Sequence, residues 1–446
     1  MTHKRRITRR TAMLAASATA LPLVHIRTAG AAGKLNLAFW DHWVPATNDT
    51  LRKQVGEWAE KNKVECTMDF ITSVGGKLML TQQAEYQARK GHDILPVANW
   101  EVRNLSDRME PMDDVIAHLQ KEYGEYAPAY SYLGKVKDRW MAVPSSTGSL
   151  NLTLCGRISL FKQHAGIDLR ELYPAKPSDK EIGQSWDYDA FMKAAEAFHK
   201  AGMPFGMGIG STNDSINNTG AWYAAFGAEL IDAKGKIQVK SDKVQAFLEW
   251  AQRFVKFLPA DAKSYDDASN NRALISGKSA LIMNPPSVWA VAKRDAPAIA
   301  EDCWTFPMPR GPAGRYIPYS FTFYAVWEFG RNKRAAKDLV QFLQERKQVE
   351  ERCTVSEGYD LPPFLTMSNF DVWSKVGPPP GTIYNYPIRP WHNSLPSITA
   401  LPAPPEIAVQ MYSRGVHPGI LARLQSGQSI KEATAWAQEE LEGFLG

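Results

Sequence analysis

The sequence predicts an α/β fold, and three observations carry the prediction. Strand-length apolar runs alternate with stretches of helical period over residues 34–100. Each of those runs stops at a cluster of polar or aromatic residues. The chain has 446 residues, 44% of them hydrophobic and 22% charged. That is a globular composition, long enough for two or three domains with a core in each. No run of 18 apolar residues occurs after the first 30, so no membrane helix is expected in the body.

The elements follow in order. Residues 34–40 read as a strand ending in Asp41-His42-Trp43. Thr47 or Asn48 can cap the next helix, whose face carries Leu51, Val55, Trp58 and Ala59 at helical spacing. A second strand, 65–71, ends at Ser73-Val74-Gly75-Gly76-Lys77, and a helix over 78–90 follows. A third, 92–97, stops at Asn99-Trp100. Strand, helix, strand, helix, strand implies a parallel sheet with helices on its faces, where ligands bind beyond the carboxyl ends of the strands.

A second section begins near Pro144. Helix is predicted over 186–200, with Phe191, Ala194, Ala195 and Phe198 on one face, and over 243–257, with Val244, Phe247, Leu248 and Ala251 as its stripe. Residues 203–209 read as a strand, 211–219 as a polar loop and 222–228 as a helix. Short strands are expected at 279–283 and 323–328, then a helix over 333–348, an irregular Pro- and aromatic-rich region over 362–405, and closing helices at 405–415 and 430–444. The chain shows no internal repeat.

The charge is uneven. Residues 1–31 hold Lys4, Arg5, Arg6, Arg9, Arg10 and Arg27 and no acid; without them 46 bases face 47 acids, a net charge of −1. A near-neutral body has no electrostatic footprint for nucleic acid or anionic lipid. The basic start, the apolar stretch 12–26 and the small residues Ala29-Gly30-Ala31 read as a signal peptide over 1–31, cleaved beside Ala29 and Ala31. Thr8-Arg9-Arg10-Thr11-Ala12-Met13-Leu14 resembles the twin-arginine export motif, with Arg9 and Arg10 as its pair, so the expected location is the periplasm. Cys66, Cys155, Cys303 and Cys353 are widely spaced, which offers no metal site, and folding before export favours four buried thiols.

Catalytic signatures are missing. The chain has no H-E-x-x-H, no G-x-S-x-G, no P-loop and no G-x-G-x-x-G, and the histidines show no ligand spacing. What stands out is aromatic content: 14 Trp, 16 Tyr and 18 Phe. Trp40, Trp43, Trp100, Trp222 and Trp391 stand at predicted element ends beside Asp, Asn, Ser or Glu. Flat rings stack on the apolar faces of sugars, while carboxylates and amides share hydrogen bonds with hydroxyls. Any one of these tryptophans can equally be core.

Several ordered segments resemble the family 1 extracellular solute-binding proteins, the periplasmic receptors of sugar-type ABC importers. They are His92-Asp93-Ile94-Leu95 with Met109-Glu110-Pro111-Met112-Asp113, Asp138-Arg139-Trp140-Met141-Ala142-Val143-Pro144, and Phe161 with Ala165-Gly166. Ser185-Trp186-Asp187 with Phe191, Gly277-Lys278-Ser279-Ala280-Leu281-Ile282-Met283, Pro307 through Gly314, and Gly358 with Pro362 complete the set. One departure is Ser320-Phe321-Thr322-Phe323, where such proteins often carry Gly-Gly or Gly-Trp.

The resemblance implies a two-lobed periplasmic-binding-protein (Venus-flytrap) fold whose discontinuous lobes are joined by hinge segments. Residues 34–145 plus 284–330 would form the N-terminal lobe, and 146–283 plus 331–446 the C-terminal lobe. The ligand-binding residues carried over are Trp40, Asp41, Trp43, Gly75, Gly76, Asn99, Trp100, Glu101, Ser145, Asn213, Trp222, Asn284, Phe321 and Trp391. The implied function is capture of a small carbohydrate or polyol and delivery to ABC permease subunits with a cytoplasmic ATPase. The receptor would be a monomer, with no cofactor, no metal and no catalysis. The alternatives are a receptor for a cationic solute such as a polyamine, with Asp41, Asp93, Glu101 and Asp214 as candidate charges, a secreted carbohydrate-active enzyme, or a sensor subunit that presents its ligand to a membrane receptor.

Overall fold

The computed structural model describes residues 24–26, 33–175, 183–375 and 392–445. The expected export residues Arg9, Arg10, Ala29 and Ala31, and Trp391, lie outside the described residues.

The strands are β1 (Val24–Ile26), β2 (Gly33–Trp40), β3 (Val64–Ile71), β4 (Ile94–Ala98), β5 (Val143–Asn151), β6 (Leu154–Arg157), β7 (Leu281–Met283), β8 (Cys303–Phe306), β9 (Tyr316–Val326) and β10 (Leu395–Ser397). Helix α1 (Pro45–Asn62) connects β2 to β3, and α2 (Lys77–Ala88) connects β3 to β4. Helix α1 starts on a proline, stops at Lys63 in the left-handed region, and buries the expected Leu51, Val55, Trp58 and Ala59. As expected, β2 lies parallel to both β3 and β4. One face of β2 is buried along its length at Leu35, Leu37 and Phe39 while Lys34 and Asn36 opposite are exposed, β3 alternates buried and half-buried residues, and β4 is buried from Ile94 to Val97.

The sheet then continues through residues distant in sequence. β9 pairs antiparallel with β4 and β5, and parallel with β10. β1 adds an antiparallel edge to β3, through a β-branched segment read from sequence as part of the signal's apolar stretch. A second, smaller sheet has β6 at its centre, antiparallel to β8 and β7. Helix α3 (Tyr188–Lys200) lies near it through Phe198 and Phe161, α4 (Asn213–Phe226) packs mainly along β9, α5 (Asp242–Phe254) packs on α4, and α6 (Pro285–Asp295) follows β7. The stripes predicted for α3 and α5 are buried.

Three expectations change. Residues 211–219 are not a loop: Thr212 Oγ1 accepts from Ser215 N–H at 3.2 Å and starts α4 there. Residues 203–209 form only a bridge, Gly206 to Ile282. Residues 333–348 divide into α7 (Lys333–Leu343) and α8 (Arg346–Val355).

These last two helices lie against the first sheet's side, not in the C-terminal lobe. Trp58 Nε1 donates to Asp338 (3.1 Å), Gln54 Nε2 to the Gln348 carbonyl (3.2 Å) and Lys53 Nζ to Glu351 (2.7 Å). Buried Arg352 donates to Gln54 Oε1 at 2.6 Å and to the Leu343 carbonyl at 2.5 Å. The first sheet also keeps the chain through Asn151 on β5, past the expected boundary at 145. Only Leu152 and Thr153 separate β5 from β6 of the second sheet. No helix among the described residues is long and apolar enough to cross a membrane.

Candidate ligand-binding site

Because β2, β3 and β4 are parallel neighbours, their carboxyl ends share one edge. A cleft of about 410 Å³ opens there and reaches the segments leading into and out of the second sheet.

The first wall is built on Trp40, the last residue of β2. Its Nε1 donates to Ser73 Oγ at 3.4 Å, and its ring centre lies 4.8 Å from that of His42 and 6.1 Å from that of Tyr359. His42 is buried; Val44 N–H donates to its Nδ1 at 2.9 Å, which leaves the proton on Nε2 to donate to Asp360 Oδ1 at 3.1 Å. The same oxygen accepts from Gly148 N–H at 2.8 Å. Asp360 therefore pins both the His42 turn and the β5 backbone that meets the Trp40 ring. Gly75 and Gly76 follow β3 with φ of 67° and 71°, two successive left-handed residues that bare backbone to the cleft. Glu101, after β4, has its carboxyl pushed above the usual range by burial, against the opposing hydrogen bond from Asn104.

The second wall comes from three separate segments. Asp214 opens α4, and Asn284 Nδ2 donates to its Oδ2 at 3.2 Å. Asn284 is 4% exposed and sits at φ 133° between β7 and Pro285, a strained conformation for a non-glycine residue. Tyr265, Asp266 and Asp267 supply the rest. Asp266 is partly desolvated, but hydrogen bonds from Ser269 and Arg272 hold its carboxyl below the usual range. Asp267 is pushed up to about 6 by burial, even though it also accepts a hydrogen bond from Ser73 across the cleft. Burial, and then the charge of Asp267, raises Asp214 well above the ordinary carboxylate range.

Of the residues singled out in sequence, Trp40, Trp43, Gly75, Gly76, Glu101, Asn213 and Asn284 line this cleft together. The others do not. Asp41 is exposed beside it and accepts from Asn48 Nδ2 at 2.8 Å. Asn99, in the left-handed region, clamps β4 to β9 by accepting from Phe321 N–H (3.0 Å), and donates to Tyr412 Oη (3.0 Å). Trp100 is buried and donates to the Thr399 carbonyl at 2.9 Å. Ser145 is buried within β5 and accepts from Thr147 N–H. Trp222 is fully buried against Phe254, ring centres 5.4 Å apart. Phe321 packs edge-on to Tyr130, because strand alternation turns its neighbours Ser320 and Thr322 toward the cleft instead.

Sequence reasoning missed Ser73, Tyr265, Asp266, Asp267, Thr322 and Tyr359, which also line the cleft. A signal existed for some of them. Tyr265-Asp266-Asp267 is the same ring-beside-carboxylate pattern that singled out the tryptophans, carried by a tyrosine. Asp93, considered as a charge for a cationic ligand, instead accepts from Asn36 N–H at 2.8 Å where β4 begins.

Two α/β lobes facing each other across a polar and aromatic cleft are the architecture of a periplasmic binding protein. Residues 57–377 match the family model described as bacterial extracellular solute-binding protein, and the chain belongs to that family. No curated protein matches the sequence. Among solved structures the fold is similar to maltose-bound MalE3 of T. maritima, with TM-score 0.70 and 17% identity over 92% of this chain and 99% of that one. An ABC transporter solute-binding protein from Thermotoga lettingae bound with α-D-tagatose gives TM-score 0.71 and 16% identity, over 93% and 100%. A sugar transporter protein from Arthrobacter chlorophenolicus with bound laminaribiose gives 0.70 and 16%, over 92% and 99%.

Proposed function

We propose that this protein captures a small carbohydrate or polyol in the cleft and delivers it to the permease of an ABC importer. The observation that carries the reading is the lining itself: Trp40, Trp43, Tyr265 and Tyr359 alternate with Asp, Glu, Asn, Ser and Thr around one cavity of sugar-binding size. Rings of this kind stack on a pyranose, and the acceptors between them take its hydroxyl protons. The family is one of binding proteins, and in this reading the protein acts by binding and release.

In this reading β2–β5 and β9 with α1, α2, α7 and α8 form one lobe, and the sheet of β6–β8 with α3–α6 forms the core of the other. The crossings at 152–153, 284 and 307–315 act as hinges. Closure follows because the ligand gains contacts from the second wall only in the closed form. The protein works as a monomer in the periplasm, exported through Arg9 and Arg10 and trimmed after Ala31, which removes the edge strand β1 with the signal. Titration calorimetry against mono- and disaccharides and polyols tests the ligand class. A saturable heat with a sugar is expected; turnover of a glycoside by the purified protein would replace the reading with an enzyme.

A further inference from the structure

The charges around the cleft are one-sided. Glu101, Asp214, Asp266 and Asp267 line it, and no Lys, Arg or His does so among the described residues. Asp266 is compensated from outside, where Arg272 Nη2 donates to its Oδ1 at 2.9 Å. The other three make no salt bridge with any described residue. Asp214 and Asp267 come from different segments of the second wall and are close enough to raise each other's energy when ionised.

A second observation points the same way. Asn284, nine-tenths buried and lining the cleft, uses its Nδ2 on Asp214, and its Oδ1 has no hydrogen-bond partner. With Asp214 ionised this is the paired orientation, since the opposite one would set two acceptors face to face. The corner therefore gathers two carboxyl groups and a buried, unpartnered amide oxygen, with the amide's donor already spent. A neutral hydroxyl brings one proton to such a corner; an ammonium brings three and a charge.

Resting on the carbohydrate reading, we infer that the ligand is a saccharide bearing a protonated amine, whose ammonium sits between Asp214, Asp267 and the Asn284 amide oxygen while its ring lies toward Trp40 and Trp43. The wider surroundings are consistent with this. Tyr265 and Tyr359 stay protonated, because burial pushes their hydroxyls up, Tyr265 to about 12. Glu101 on the first wall adds negative potential without contacting a base.

The test compares matched probes by calorimetry on the purified protein at pH 7.5: glucosamine against glucose, and the chitosan disaccharide against cellobiose, with spermidine as the ring-free amine. At least one amine-bearing sugar should bind about tenfold or more tighter than its hydroxyl counterpart. Asp267→Asn, with its fold checked by melting, should abolish that preference. Without any variant, affinity for the amine should rise from pH 5 to 7.5 as Asp267 ionises, while Asp266 stays ionised throughout. Neutral sugars binding as well as or better than their amine partners would overturn the inference and leave the carbohydrate reading intact. Spermidine binding with no sugar binding would overturn both, as would no binding by any of the five.

Discussion

Trp40 and Trp222 look alike in the sequence, each beside polar residues at an element end, yet the structure gives them opposite duties. Trp222 is fully enclosed by α4 and α5, with its indole against Phe254. Truncating it to alanine leaves a ring-sized cavity, and a change of that kind costs about 3–5 kcal/mol of stability. For a lobe-sized unit this lowers the melting temperature by roughly 6–20 °C. Trp40 is half-buried and lines the cleft, with Ser73, His42, Tyr359 and the Gly148 backbone beside its ring. Trp40→Ala should cost the ligand-free protein only about 1–2 kcal/mol but reduce affinity by about 1–3 kcal/mol, a factor of roughly five to over a hundred. The assay is paired: melting without ligand, then calorimetric affinity on the folded variant. If Trp40→Ala kept wild-type affinity while melting as early as Trp222→Ala, the wall built on Trp40 would not be a binding wall. A Trp222→Ala variant that melted normally but bound poorly would sink the core placement.

Two further outcomes follow from the charges. Asp267 has a folded pKa raised to about 6, above its unfolded value, so the ligand-free protein holds its full stability below roughly pH 4 and loses some as pH rises through 6. Asp267→Asn should therefore stabilise the ligand-free protein by about 1–2 kcal/mol at pH 8 and make no difference near pH 4, by melting in buffered series; a gap independent of pH would show that Asp267 is not the titrating group. Replacing Arg9 and Arg10 together by lysine should leave precursor in the cytoplasm, measured by fractionation and immunoblot; wild-type periplasmic yield would exclude twin-arginine routing.

Much of the fold was legible because burial writes a period into the chain. Helices α1, α3 and α5 bury apolar stripes, β3 alternates apolar and polar residues with its burial, and β4 is a short apolar run. The first half of helix α4 reads as a loop, and only its end as a helix, because its buried face is polar at the start: Ser215, Asn217, Asn218 and Thr219 are all buried there. Apolar periodicity cannot report a helix that packs with amides and hydroxyls. The pairing of β9 with β4 and β5 was hidden for another reason. It joins residues more than 150 apart, such as Thr322 with Ser145, and no local pattern records which distant strand completes a sheet.

The site divides along the same line. One topological rule brings the ends of parallel strands to one edge, so Trp40, Gly75, Gly76 and Glu101 could be found from strand boundaries alone. Trp100 obeys the same rule and still leaves the cleft, because Asn99 before it turns left-handed to clamp Phe321 and carries the indole back to Thr399. A single residue's φ decides between wall and core, and sequence position does not contain it. The charge of the cleft is subtler still. A body of net charge −1 has no evident electrostatic character, and that inference is sound for its outer surface. Yet folding gathers Glu101, Asp214, Asp266 and Asp267 from three places in the chain and leaves every Lys, Arg and His of the described residues off the lining. In a partly desolvated cavity those few groups interact far more strongly than the screened charges outside. What the cleft selects is therefore set by this local imbalance, which the total charge cancels from view.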